Sequence, residues 1–162
     1  MMSASILARY IDPAAIALGI AAETAEQVID DLARRLEASG YVGATYRDAV
    51  IAREAAMPTG LPLLDDLAVA VPHTDPVHVL KPGVAIATLA KPVEFRSMED
   101  PDEALSVRVV FALALKDKHE QIEMLQTIAL MLQDPARIRA VIAAGSIQEL
   151  LAAVTADDDK GE

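Results

Sequence analysis

A chain of 162 residues is long enough for one domain with a substantial core, and with 53% hydrophobic residues but only three tyrosines, two phenylalanines and no tryptophan, that core is aliphatic. A formal charge of −11 excludes a Lys/Arg grip on nucleic acid or on anionic membranes and points to a soluble protein with a basic partner. The absence of cysteine excludes disulfides, thiolate nucleophiles and Cys-ligated zinc.

In chain order, residues 4 to 22 are predicted as one or two short strands flanking an Asp12-Pro13 turn. Pro13 to Ala22 is apolar enough to imitate a signal-peptide core. Asp12 and Pro13 interrupt it, no basic cluster leads it, and no other apolar run reaches bilayer length, so neither signal peptide nor membrane insertion is expected, and the localisation is cytoplasmic. Thr24 and Gln27 form a capping-box pattern for a helix that places Val28, Ile29, Leu32, Ala33 and Leu36 on one face and stops at Gly40. Thr45 caps a second predicted helix, Arg47 to Ala56, with Ala49, Val50 and Ala56 on its apolar side. It carries Arg53 and Glu54 and ends before Pro58, which opens a proline-restricted turn through Pro62.

The next stretch organises the chain. Leu67 to Val71 reads as a strand buried on both faces, bounded by Asp65-Asp66 before it and by Pro72 after it, because proline has no N–H for a ladder. His73 is then the first side chain beyond the strand's carboxyl end, where open α/β sheets present ligands. Thr74 or Asp75 can cap a helical turn. Strands at Val84–Leu89 and Val93–Phe95 follow, joined through Lys91-Pro92 by a link too short for a crossover, hence antiparallel; Arg96 to Leu105 is an acidic loop. Val107 to Leu115 is a second long buried strand, and it too ends in a polar turn, before His119 at a helix start. That helix has Ile122, Leu125, Ile128, Ala129 and Leu132 on one face and stops near Asp134-Pro135. A short helix over 136–143 precedes a last one capped by Ser146 and Glu149, and residues 157–162 form an acidic tail. The fold class is α/β: a single-domain mixed β-sheet sandwiched between helices on both faces.

His73 and His119 thus occupy matched positions after the two long strands, and their imidazoles converge if those strands are neighbours. The competing reading is that each is a polar end-cap of a loop. Phosphate loops of the nucleotide type and Gly-x-Ser-x-Gly elbows are absent. His73, Asp75, His78 and His119 match no strong metal-ligand spacing, so no metal is expected and none of the chemistry needs a cofactor. What remains is imidazole as nucleophile: a neutral ring nitrogen attacks phosphorus directly if the phosphoryl oxygens find donors. Arg53, Thr59, Thr74, His119 and N–H groups at a helix start supply candidates.

Arg53-Glu54, Pro58-Thr-Gly-Leu61, Ala70-Val-Pro-His-Thr-Asp75 and Phe111 through Gln126 together resemble the fructose/mannitol superfamily of enzyme IIA domains of the bacterial phosphoenolpyruvate sugar phosphotransferase system, in its galactitol-type flavour, over residues 1–156. The resemblance implies that His73 accepts a phosphoryl group from phospho-HPr and passes it to a cysteine of a separate IIB protein, and through it to a membrane IIC. It also implies that His119 orients the phosphoryl group, Arg53 supplies charge, and Thr59 bonds phosphate or imidazole. Transfer between two proteins calls for a shallow, exposed His73 with apolar neighbours such as Met57, Ala70 and Val71. His78 is expected on the surface, outside the site. Arg53 could instead pair with Glu54 or Asp48, and Thr59 could merely hold its turn. Alternatives at the level of the whole chain are a stand-alone regulatory IIA, a non-catalytic binding module that kept the fold and, most weakly, a metal-dependent hydrolase.

Overall fold

The computed structural model describes residues 6–63 and 67–155, so Asp65-Asp66 and the acidic tail expected at 157–162 lie outside the described residues. The chain runs α1 (Ile6–Tyr10), β1 (Ile11–Ile20), α2 (Ala25–Ala38), α3 (Tyr46–Ala56), β2 (Gly60–Pro62), β3 (Ala68–Ala70), β4 (Gly83–Arg96), β5 (Ala104–Ala114), α4 (Lys118–Met131), α5 (Pro135–Ala143) and α6 (Ile147–Val154). A single 3-10 turn, Pro76–His78, lies between β3 and β4. The strands form one mixed sheet in the order β1-β4-β5-β3-β2. β1 with β4 and β3 with β5 are parallel; β4 with β5 and β2 with β3 are antiparallel.

The two faces of the sheet are chemically unequal. Side chains alternate along a strand, and in β4 and β5 the alternation sends Ala85, Ala87, Ala112 and Ala114 to one face and Val84, Ile86, Phe111 and Leu113 to the other. α2 and α3 cover the alanine face with their own large residues, Val28, Ile29, Leu32, Leu36, Tyr46 and Val50. On the opposite face α1, α4, α5 and α6 bring Leu7, Met124, Ile128, Met131, Ile138, Val141, Leu150 and Val154 against the bulky strand residues. Side-chain caps set two of the expected helix starts, whereas Thr45 before α3 makes no cap bond because its hydroxyl lies 2.8 Å from His78 Nδ1. Thr24 and Ser146 accept from the backbone N–H of Gln27 and Glu149, and Gly40 turns the chain after α2 at φ +83°.

Several predicted elements are corrected. Ile6–Tyr10 is helical, and β1 spans Asp12-Pro13 as one edge strand, although its ladder to β4 is interrupted there: the pairing passes from Ile11–Val84 to Ile16–Ile86, and the Asp12 carboxylate accepts from the Ala14 N–H at 2.9 Å. The proline-restricted turn contains a strand, Gly60–Pro62, paired with β3. Lys91-Pro92 joins no strand pair: β4 is continuous to Arg96 and only shifts register against β5 between Thr88 and Val93. The apolar face of α4 is also rotated. Met124, Ile128 and Met131 are buried, whereas Ile122 and Ala129 are exposed, since this helix is apolar on two sides and only packing selects one. In α3 the buried residues are Tyr46 and Val50, with Ala56 exposed.

Candidate functional site

β3 and β5 lie side by side and parallel, in register through Val69 with Val109 and Ala70 with Val110, so both hand their following residues to the same edge of the sheet. Pro72 has no N–H to donate, but its carbonyl accepts from the Leu113 N–H at 3.0 Å and carries the chain past the ladder. His73 comes next. It is only 9% exposed, more recessed than the shallow position expected of it, because its ring is drawn inward: Nδ1 lies 2.8 Å from the carbonyl oxygen of Val71. A carbonyl only accepts, so this bond places the proton on Nδ1 and leaves the lone pair on Nε2. Burial holds the imidazole pKa below its ordinary value, opposed by the bond to Val71; the nearby Arg53 charge lowers it further and Asp75 raises it.

The predicted site residues fall into two groups. Arg53, in the last turn of α3, is partly buried, and its guanidinium approaches Asp75 at 3.4 Å, placing a cation beside the His73 loop. Neither Glu54 nor Asp48 is its partner: Asp48 pairs with Arg47 and Glu54 with Thr59. The Thr74 carbonyl receives the Gln121 side-chain amide at 3.1 Å, which ties the first turns of α4 to the same loop. His119 stands in the first turn of that helix, whose cap is Asp117, the acceptor of the His119 N–H at 2.7 Å. Its imidazole is exposed, and among the described residues no hydrogen bond joins it to His73. Thr59 is buried and fully engaged. Its N–H and hydroxyl both donate to the Glu54 carboxylate at 2.9 Å, and its hydroxyl accepts from the Val71 N–H at 3.1 Å. His78 is remote from this chemistry, its Nδ1 2.8 Å from the Thr45 hydroxyl.

Glu54 is the residue that sequence reasoning missed. Burial raises its carboxyl pKa against the two donors from Thr59. Glu54 belongs to the Arg53-Glu54 motif that carries the resemblance, but neither that motif nor an acidic residue five positions before a threonine assigns it a role at the site.

With this geometry in hand, the comparison with known proteins is direct. The family model described as "Phosphoenolpyruvate-dependent sugar phosphotransferase system, EIIA 2" matches residues 9–156. The chain belongs to this enzyme IIA family. The galactitol-specific EIIA component of Escherichia coli K12 is 29% identical over 124 residues, spanning 76% of this chain and 81% of that protein. The 2-O-alpha-mannosyl-D-glycerate-specific EIIABC component of the same strain is 30% identical over 84% of this IIA chain but only 20% of its own length. Among solved structures, mannitol IIA from Escherichia coli superposes with a TM-score of 0.71 at 28% identity, over 88% of this chain and 97% of that one. The same mannitol IIA is also known in a complex with phosphorylated mannitol IIB, with the same score and identity, over 88% of this chain and 94% of that one. A mixed sheet between helical layers is thus the fold of this IIA family as well as of this chain.

Proposed function

We propose that this IIA chain is a histidine phosphocarrier in which His73 Nε2 takes a phosphoryl group from phospho-HPr and delivers it to a cysteine of a separate IIB protein, for uptake of a sugar alcohol of the galactitol type through a membrane IIC. The observation that carries the reading is the bond from His73 Nδ1 to the Val71 carbonyl, which makes Nε2 the nucleophile without any other base. The Nε2 lone pair forms the new N–P bond as the bond from phosphorus to the HPr imidazole breaks. In the second step the IIB thiolate attacks the same phosphorus, the N–P bond breaks and its electron pair returns to Nε2. No proton moves on His73 in either step. Arg53 and, by its position at the same sheet edge, His119 supply charge to the phosphoryl oxygens.

An arrangement of one cation and one imidazole suits a carrier, which has to release what it binds. The mannitol relative in complex with phosphorylated IIB supports IIB as the acceptor here, and the galactitol-specific relative supports the substrate class. An apolar surface cleft of about 320 Å³, lined by Leu61, Met98, Ile122, Leu125 and Ala129, lies just beyond Gln121 and supports docking of both partners over the recessed imidazole. No helix among the described residues is long and apolar enough to cross a membrane, which fits a cytoplasmic relay.

Intact mass after incubation with enzyme I, HPr and phosphoenolpyruvate tests the reading. One acid-labile phosphoryl group is expected on the native protein and none on the His73→Ala variant, which should keep its fold because His73 stands beyond the end of β3. A native protein that gains nothing from competent carriers, or a variant that still does, overturns it. A phosphoryl group that stays on His73 when IIB proteins are supplied would point to the stand-alone regulatory role instead.

A further inference from the structure

Two consecutive residues of the last turn of α3 grip opposite ends of the His73 loop. Arg53 reaches forward to Asp75, after the histidine. Glu54 reaches back to Thr59, and the Thr59 hydroxyl accepts from the N–H of Val71, the residue whose carbonyl in turn holds His73 Nδ1. We infer that Glu54 and Thr59 are positioning residues that fix the tautomer and aim of His73 through Val71; the inference rests on His73 being the phosphoryl acceptor.

The donor and acceptor inventory leaves little freedom. A threonine hydroxyl has one proton and two lone pairs. The proton goes to Glu54 Oε1, which turns a lone pair toward the Val71 N–H, and Glu54 Oε2 takes the Thr59 N–H at 2.9 Å, so the carboxylate clamps the threonine at two points. Val71 is fully buried and lies just beyond the last ladder pair of β3, so without Thr59 its N–H has no strand partner. Pinning that N–H fixes the Ala70–Val71 peptide. The carbonyl that holds the imidazole belongs to the next peptide, Val71–Pro72, and because Val71 is β-branched and precedes a proline it has little φ/ψ freedom between the two, so the direction of the carbonyl follows. A carboxylate is needed for the clamp. An amide in its place would accept from the Thr59 N–H but would point its own N–H₂ at the hydroxyl, which already accepts from Val71, and the hydroxyl proton would then lack an acceptor. Burial, which makes a charged carboxylate costly at this position, sets Glu54 apart from an incidental surface acid.

The test uses Glu54→Gln, Thr59→Val and Thr59→Ser in the full chain, with two readouts. Nitrogen-15 NMR of the unphosphorylated protein reports the His73 tautomer and does not depend on any partner. Single-turnover transfer from phospho-HPr reports the rate. The native protein and Thr59→Ser are expected to show a protonated Nδ1 and matching rates. Glu54→Gln and Thr59→Val are expected to show a mixed tautomer and transfer slowed roughly 10- to 100-fold, with the concentration of HPr at half-maximal rate little changed, because only aim and not docking is disturbed. A native tautomer in both Glu54→Gln and Thr59→Val overturns the inference; should Thr59→Val fail to fold, the volume-conserving Glu54→Gln decides alone. If the native protein accepts no phosphoryl group, the phosphocarrier reading fails, while the NMR comparison still decides whether Glu54 and Thr59 set the tautomer.

Discussion

His73 sits in surroundings that keep it uncharged: it is buried, a carbonyl holds Nδ1–H, and Arg53 stands nearby. Its folded pKa is therefore lowered, which is the direction that favours a nucleophile at neutral pH. NMR titration of His73 should give a midpoint below the ordinary value near 6.5, and Arg53→Gln should raise that midpoint while slowing phosphoryl transfer on the order of 10²-fold. A midpoint above 6.5, or one that does not move in Arg53→Gln, would contradict the electrostatic assignment. The sign for stability follows from linkage. With the folded pKa depressed, the contribution of His73 is fully present above the unfolded pKa and is lost as pH falls through the folded value, because the unfolded chain takes up the proton first. Urea unfolding of His73→Ala should therefore show a shallower loss of stability on acidification than the native protein shows. At this scale the sequence offered His73 and Arg53 as candidates, by residue type and by resemblance, and the structure brings both to the loop that holds Asp75. The Glu54–Thr59–Val71 chain could not be read in this way, because hydrogen bonds between a helix end, a turn and a strand end have no periodicity.

Elements with strong local signals were the legible ones. The caps at Thr24 and Ser146 and the proline at the start of α5 define helices in the amino-acid order itself, since each satisfies or removes a terminal N–H. What escaped depends on tertiary position. Pro13 does interrupt the ladder of β1, but that the strand resumes beyond it depends on its place at the sheet edge, and β2 is too short to show alternation. Gly60 within β2 has a reason visible only in three dimensions: a Cβ there would lie 2.5 Å from the Arg96 carbonyl oxygen. Tyr46 is the clearest case. The predicted helix begins after it, at Arg47, yet Tyr46 opens α3, is buried, and its hydroxyl donates to the Leu113 carbonyl at 2.8 Å. The same Leu113 donates its N–H to Pro72, so Tyr46 helps to hold β5 where it meets the His73 loop. Tyr46→Phe should leave the Leu113 carbonyl buried without this partner and cost about 1–3 kcal/mol in urea unfolding; a loss within error of zero would mean that water replaces the hydroxyl.

Across the molecule, one edge of the sheet gathers the candidate site residues from three separated parts of the sequence: the end of α3, the end of β3 and the start of α4. The mixed topology does this by setting β3 parallel to β5. The α/β class was readable from alternating apolar runs and capped helices, but the strand order was not, because burial on both faces makes a central strand look the same in either direction. Leu61, Met98, Ile122, Leu125 and Ala129 line an apolar surface cleft, the proposed landing for partners. Ile122 is 55% exposed, outside the buried face of α4. Ile122→Glu should leave stability within about 0.5 kcal/mol of the native protein. It should also raise the concentrations of HPr and IIB needed for half-maximal transfer several-fold, with the saturated rate preserved; unchanged concentrations would put the docking surface elsewhere. The division of the sheet into an alanine face and a bulky face carries a last consequence. Arg53 and Glu54 reach the His73 loop from the α2–α3 layer that covers this face, so the height of that layer above the sheet bears on the distance between α3 and the imidazole. An added methyl group at Ala87 or Ala112 would increase that height. Growth in volume beneath α2 and α3 is thus expected to slow a carrier of this design without any change at its surface, a consequence of how small the side chains there are.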